Sequence, residues 1–152
     1  MKKILAIILV LITAVLIFFF ILGYKSQTGA ALGLMDNKLQ ACPDTPNCVL
    51  SEADIVAEFY IDPLDIGNYS TAAAIEKITT LILASGGEIH TDEQLYIAVT
   101  YRSSIFSFVD DLEIRIDAQQ QKIHFRSASR VGKSDLGANR ARVEAIKEGY
   151  AN

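Results

Sequence analysis

The chain has no tryptophan, three prolines, two histidines and two cysteines. A metal site at the cysteine pair would have to recruit His90 and His124 from far along the chain, so no metal is expected. Five residues lie between the cysteines rather than the two of a redox motif, so thiol chemistry is not expected either. There is no Gly-x-Ser-x-Gly nucleophile elbow and no Gly-x-x-x-x-Gly-Lys-Ser phosphate loop, and no cofactor motif. Basic residues are in the minority, with a formal net charge of −4, and no aromatic ladder interleaves with them. A nucleic-acid footprint needs a basic face, so no nucleic-acid partner is expected.

Charge is missing from one long run. Met1-Lys2-Lys3 leads into ILAIILVLITAVLIFFFIL, Ile4 to Leu22, without one ionisable side chain. At 1.5 Å per residue this run spans about the hydrocarbon thickness of a bilayer. A cleaved signal peptide has an apolar region of roughly 7–15 residues ending at small residues. The longer run and its FFFILGYK end favour an uncleaved anchor. Lys2 and Lys3 keep the N-terminus cytoplasmic and put the body on the other side. Tyr24 sits where an interfacial aromatic belongs, and Lys25 weakens the charge asymmetry slightly. The expected location is the inner membrane, single pass, with a periplasmic C-terminal domain. The expected division is an anchor over 1–25, a linker over 26–40 and one soluble domain over 41–152.

The two cysteines frame CPDTPNC, Cys42 to Cys48. In an oxidising compartment such a pair forms a disulfide, and Pro43 and Pro46 stiffen the ring. Ile55 to Ile61 has strand character and ends at Asp62-Pro63. Asn68 or Ser70 caps a helix running to about Ser85, with Ile75, Ile78 and Ile82 as its stripe and Gly86-Gly87 as its stop. Glu88–Thr91 and Leu95–Arg102 form a hairpin around Asp92-Glu93. Ile105 and Phe106, in the connection that follows, are expected in the core.

Phe108–Asp117 and Lys122–Arg130 pair with Asp117 opposite Lys122 and Glu113 opposite Arg126, which matches charges and apolar residues together. That register puts Asp110 on the core face opposite Ser129, where a carboxylate needs a partner. It puts Asp111 and His124 on the outer face, in solvent. Asp135, or alternatively Asn139, caps a last helix whose stripe is Leu136, Asn139, Val143, Ile146 and Tyr150. Arg140 and Glu144 form a surface pair. The order β-α-β-β-β-β-α gives an α+β, two-layer domain with a mainly antiparallel sheet, analogous to a TBP-like sheet.

CPDTPNCV, then FVDDLEIRI from Phe108, then RSASRVGKSDLGANRARVE from Arg126 resemble the bacterial domain-of-unknown-function family 1499 over about Lys38 to Lys147. The resemblance implies a small envelope domain behind an anchor or signal, with no established activity and no catalytic residues.

From Asp36 to Ile123 there are fifteen acids and five bases, whereas bases outnumber acids from His124 onward. This segregation suggests internal pairing. Asp110, Arg126, Ser127, Ser129, Arg130, Asp135, Asn139 and Arg140 are therefore expected to form a polar clasp or an anion site. A binding or interaction module follows, whose partner is an anionic small molecule, a lipid head group or another envelope protein. The alternative is an envelope enzyme using Asp110 as a base, with the nearby serines and arginines acting on an anionic substrate.

Overall fold

A computed structural model describes residues 1–52, 56–93 and 95–152. The N-terminal run forms α1 (Lys2–Ser26), a helix long and apolar enough to cross a membrane. A signal sequence meets the same test. After α1 come two short strands, β1 (Leu34–Met35) and β2 (Lys38–Leu39), paired with each other.

The domain is built on one antiparallel sheet in the order β3 (Cys48–Leu50), β8 (Lys122–Ser129), β7 (Val109–Asp117), β6 (Tyr96–Arg102), β5 (Glu88–Glu93). A short β4 (Leu64–Asp65) also pairs with β8. Helices α2 (Thr71–Ala84) and α3 (Ala138–Ala151) cover one face, giving the α+β two-layer architecture.

Alternation explains that core. Ile97, Val99 and Tyr101 of β6, Leu112, Ile114 and Ile116 of β7, and Ile123 and Phe125 of β8 point to the helices. Ala74, Ile78 and Ile82 of α2 and Val143, Ile146 and Tyr150 of α3 pack against them. The β7–β8 register pairs Asp117 with Lys122, Glu113 with Arg126 and Asp110 with Ser129, as the charge matching requires. Ser70 caps α2 by accepting from the Ala73 N–H at 3.2 Å.

Several local expectations are corrected. Val56 to Tyr60 is not a strand. It is a turn closed by Phe59 N–H to the Val56 carbonyl, and only Tyr60 bridges to Leu50. Ile55, where that strand was to begin, lies outside the described residues. The first long-range strand is Cys48–Leu50 instead, pinned by the neighbouring ring. Asp92 and Glu93 belong to β5, so the hairpin turns later. Leu136 is not on the α3 stripe but 97% exposed, because the helix starts two residues beyond it. Arg140 does not pair with Glu144: it donates to the Glu58 carbonyl at 2.8 Å, and Glu144 pairs with Lys147. Ile105 is 70% exposed rather than core, while Phe106 packs on α1.

The largest correction concerns the second face of the sheet. Asp111 and His124 were expected in solvent. Both are buried, as is Glu113. The segment leading to β2 lies over them, with Gly33 N–H donating to Glu113 at 2.8 Å and Leu39 buried.

Candidate functional site

Strand parity divides the arginine-rich stretch between the two faces of β8. Ser127 and Ser129 face the helices, and Arg126 and Arg130 face the other way. Seven of the eight residues expected to converge are therefore held in two polar clusters back to back, and Arg140 lies apart from both.

The first cluster joins the sheet to α3 and the cysteine loop. Arg142 is the hub. Its guanidinium donates to Asp110 at 2.7 Å, to Asn139 Oδ1 at 2.7 Å and to Ser127 Oγ at 3.1 Å. It also lies 4.5 Å from the centre of the Tyr101 ring, a cation–π geometry. Ser127 donates to Asn139 Oδ1 at 2.5 Å. Asn139 Nδ2 donates to Ser129 Oγ at 3.1 Å and to the Asn47 carbonyl at 3.0 Å. Arg142 follows Asn139 by three residues, the spacing that puts two side chains on one helix face, and that was the available signal.

Asp135 closes this cluster at the helix start. Its carboxylate accepts from the N–H groups of Gly137 at 3.1 Å and Asn139 at 2.7 Å. Gly137 is the N-cap residue and has φ +82°, so the cap is supplied from two residues upstream. These are the N–H groups that would have bound an external anion. Arg140 lines a separate hollow of about 210 Å³ with Pro46, Glu58 and Asp135.

The second cluster lies beneath residues 26–40. Glu113 accepts from Arg126 at 2.8 Å, from the Tyr96 hydroxyl at 2.8 Å and from Gly33 N–H. Burial, and then the Glu113 charge, push the Tyr96 phenol well above its usual pKa. Arg130 grips Asp111 with two parallel bonds of 2.8 and 2.7 Å and reaches the Ser26 carbonyl at 3.4 Å. Those bonds to Asp111 hold the guanidinium still more firmly protonated. Arg115 bridges Glu52 at 2.7 Å and Asp117 at 3.3 Å. His124 Nδ1 sits 3.3 Å from Ser51 Oγ, and burial lowers its pKa.

Between the covering segment and the β5–β6 edge opens a cleft of about 730 Å³, lined by Gln27, Ala30, His90, Tyr96, Thr100 and Arg130 among others. Sequence reasoning missed it because Gln27–Gly33 shows no periodicity that would place it on the sheet. Cys42 and Cys48 are joined in a disulfide, Cα atoms 5.7 Å apart, and Asn47 in that ring feeds the first cluster.

Chemically, both clusters are self-neutralised. Among the described residues Asp110, Asp111, Glu113 and Glu52 each hold an arginine, and the two serines are tied to Asn139. One serine stands beside a histidine, Ser51 Oγ at 3.3 Å from His124 Nδ1, and both residues are buried under the covering segment.

No curated protein matches the chain. A family profile does match residues 38–149, from β2 to the last turn of α3. That match takes in the side chains of both clusters and the disulfide but not the covering segment before Lys38, and by it the chain belongs to the family described as protein of unknown function (DUF1499).

Proposed function

We propose that this protein is a membrane-anchored, single-pass domain of the cell envelope that works by binding rather than catalysis. In this reading residues 1–25 anchor it in the inner membrane with the N-terminus cytoplasmic. Residues 26–40 connect, laid along the sheet, to a periplasmic domain over 41–152.

The observation that carries the non-catalytic reading is the internal pairing of Asp110. A general base must be within reach of the proton it takes. Asp110 is instead bound by Arg142, which is itself anchored on Asn139, Ser127 and Tyr101.

Two features support the location. The disulfide suits an oxidising compartment. The end of α1 is built into the domain: Ser26 Oγ accepts from Val109 N–H at 3.0 Å, and Ser26 is fully buried. Removing α1 by cleavage would take these partners away.

The ligand in this reading is small and polar or anionic, held in the cleft beside Arg130 and Tyr96. Native mass spectrometry of the full chain released from detergent tests this. A bound small molecule is expected, and Ala30→Phe, which fills the cleft, should lose it without loss of thermal stability. A chain that carries no molecule, or an Ala30→Phe variant that still carries it, contradicts the reading.

A further inference from the structure

The turn between β6 and β7 lies against α1. Ser103 N–H donates to the Phe108 carbonyl at 2.9 Å, and Ser103 Oγ accepts from Phe108 N–H at 2.9 Å, so the turn is closed and preorganised. The Phe106 ring packs on Phe19 at 5.3 Å and on Phe20 at 5.1 Å, centroid to centroid. Phe108 approaches Phe19 at 6.4 Å. Gly23 faces the turn, and a Cβ there would overlap the Phe106 carbonyl. Phe19, Phe20 and Gly23 share one helix face by their spacing of three and four.

These contacts fix a depth. Phe19 and Phe20 lie two or three residues inside the end of the apolar run at Leu22, about 3–5 Å along the axis. They lie within about 11 Å of the run's midpoint, inside the roughly 15 Å half-thickness of a hydrocarbon core. A ring packed on them is at the same level. Ile105, beside Phe106, is an exposed apolar side chain at the tip of the turn. Lys25 closes α1, and Arg102 just before the turn bonds to Gln27, so cations flank the turn where head groups would be.

We propose that the Ser103–Phe108 turn is a second membrane contact, with Ile105 and Phe106 seated in the acyl–head-group boundary of the bilayer that α1 crosses. This rests on reading α1 as a membrane span. The occupant of the apolar surface is lipid, continuous with the lipid around α1. The contact holds the domain flush against the membrane instead of leaving it to swing on a tether.

The absence of tryptophan makes the test direct. Ile105→Trp and, separately, Ile12→Trp in α1 each give one fluorescent reporter in the full chain. The chains are reconstituted in phosphatidylcholine–phosphatidylglycerol vesicles with bromine at defined positions on the acyl chains. The Ile12→Trp emission should be quenched by deep bromines. The Ile105→Trp emission should shift to the blue and be quenched by bromines near the carboxyl end. If Ile12→Trp is quenched while Ile105→Trp emits as a water-exposed indole, the turn does not enter the membrane and only the anchor stands. If Ile12→Trp is not quenched, the anchor fails and the second contact with it.

Discussion

Glu113 is 0% exposed and carries a charge, which costs several kcal/mol of lost hydration unless donors replace the water. Arg126, Tyr96 and Gly33 supply three. Glu113→Ala leaves the Arg126 guanidinium buried opposite nothing, and should cost about 3–5 kcal/mol in a chemical unfolding experiment. The double variant Glu113→Leu, Arg126→Met removes both charges and should recover most of that loss, since apolar replacements of a whole buried pair are often neutral. A double variant no more stable than Glu113→Ala would contradict this account. His124 gives a pH signature. Burial lowers its folded pKa below the usual 6.5, with Glu52 opposing and Arg115 reinforcing the shift. The unfolded chain then binds a proton that the folded chain refuses, so stability falls as pH drops below about 6.5 towards the folded pKa. His124→Gln should flatten the melting-temperature curve over that window. Curves that stay parallel for the two proteins would rule this role out. Asp110, part-buried, was legible as an acid on the core face because strand parity alone assigns that face. Which of Arg126, Arg130, Arg140 and Arg142 would hold it was not, because that depends on where α3 starts, and Leu136 drew the start towards Asp135.

The elements differ in how openly the sequence declares them. β7 and β8 could be paired to the residue, since apolar positions alternate and opposite charges face each other at two sites. β3 could not, because three residues beside a disulfide ring show no period, while the β-rich IVAEFYI drew the strand to itself. The segment before β2 was opaque for the same reason: small residues without alternation do not announce a surface to lie on. Its effect is large, since it buries the second face and makes an ion-pair cluster of side chains expected in solvent. The disulfide ring is short, and reducing it should cost about 2 kcal/mol by the chain-entropy model, read as a lower unfolding midpoint with reductant. The junction of α1 with the domain hangs on Gly23. Gly23→Leu places a side chain where the Phe106 carbonyl stands and should undock the helix end. Limited proteolysis should then cut within residues 27–33 much faster than in the unaltered chain, while the variant stays in the membrane fraction. An unchanged cleavage rate would show that the junction does not depend on this approach.

At the scale of the whole molecule, the charge segregation resolves into structure. The acids of the middle and the bases of the end meet as Asp110–Arg142, Asp111–Arg130 and Glu113–Arg126. Pairing of this kind spends the basic segment on the fold and leaves the cleft beside Arg130 as the place proposed for a ligand. The same molecule carries a helix with a long charge-free run, docked to the domain at its end, and a disulfide early in the domain that follows. In the location proposed above, the folded domain stands on the oxidising side of a membrane with α1 retained. Thiol trapping on carbonate-washed membranes from cells expressing the full chain tests that claim most directly. Cells are quenched in acid, and free thiols are tagged with a polyethylene-glycol maleimide that retards the chain on a gel. The expected result is a full-length chain in the membrane fraction that takes no tag until reductant is added, when both Cys42 and Cys48 take it. A shortened chain in the soluble fraction, or a membrane-bound chain with both thiols already free, would contradict it.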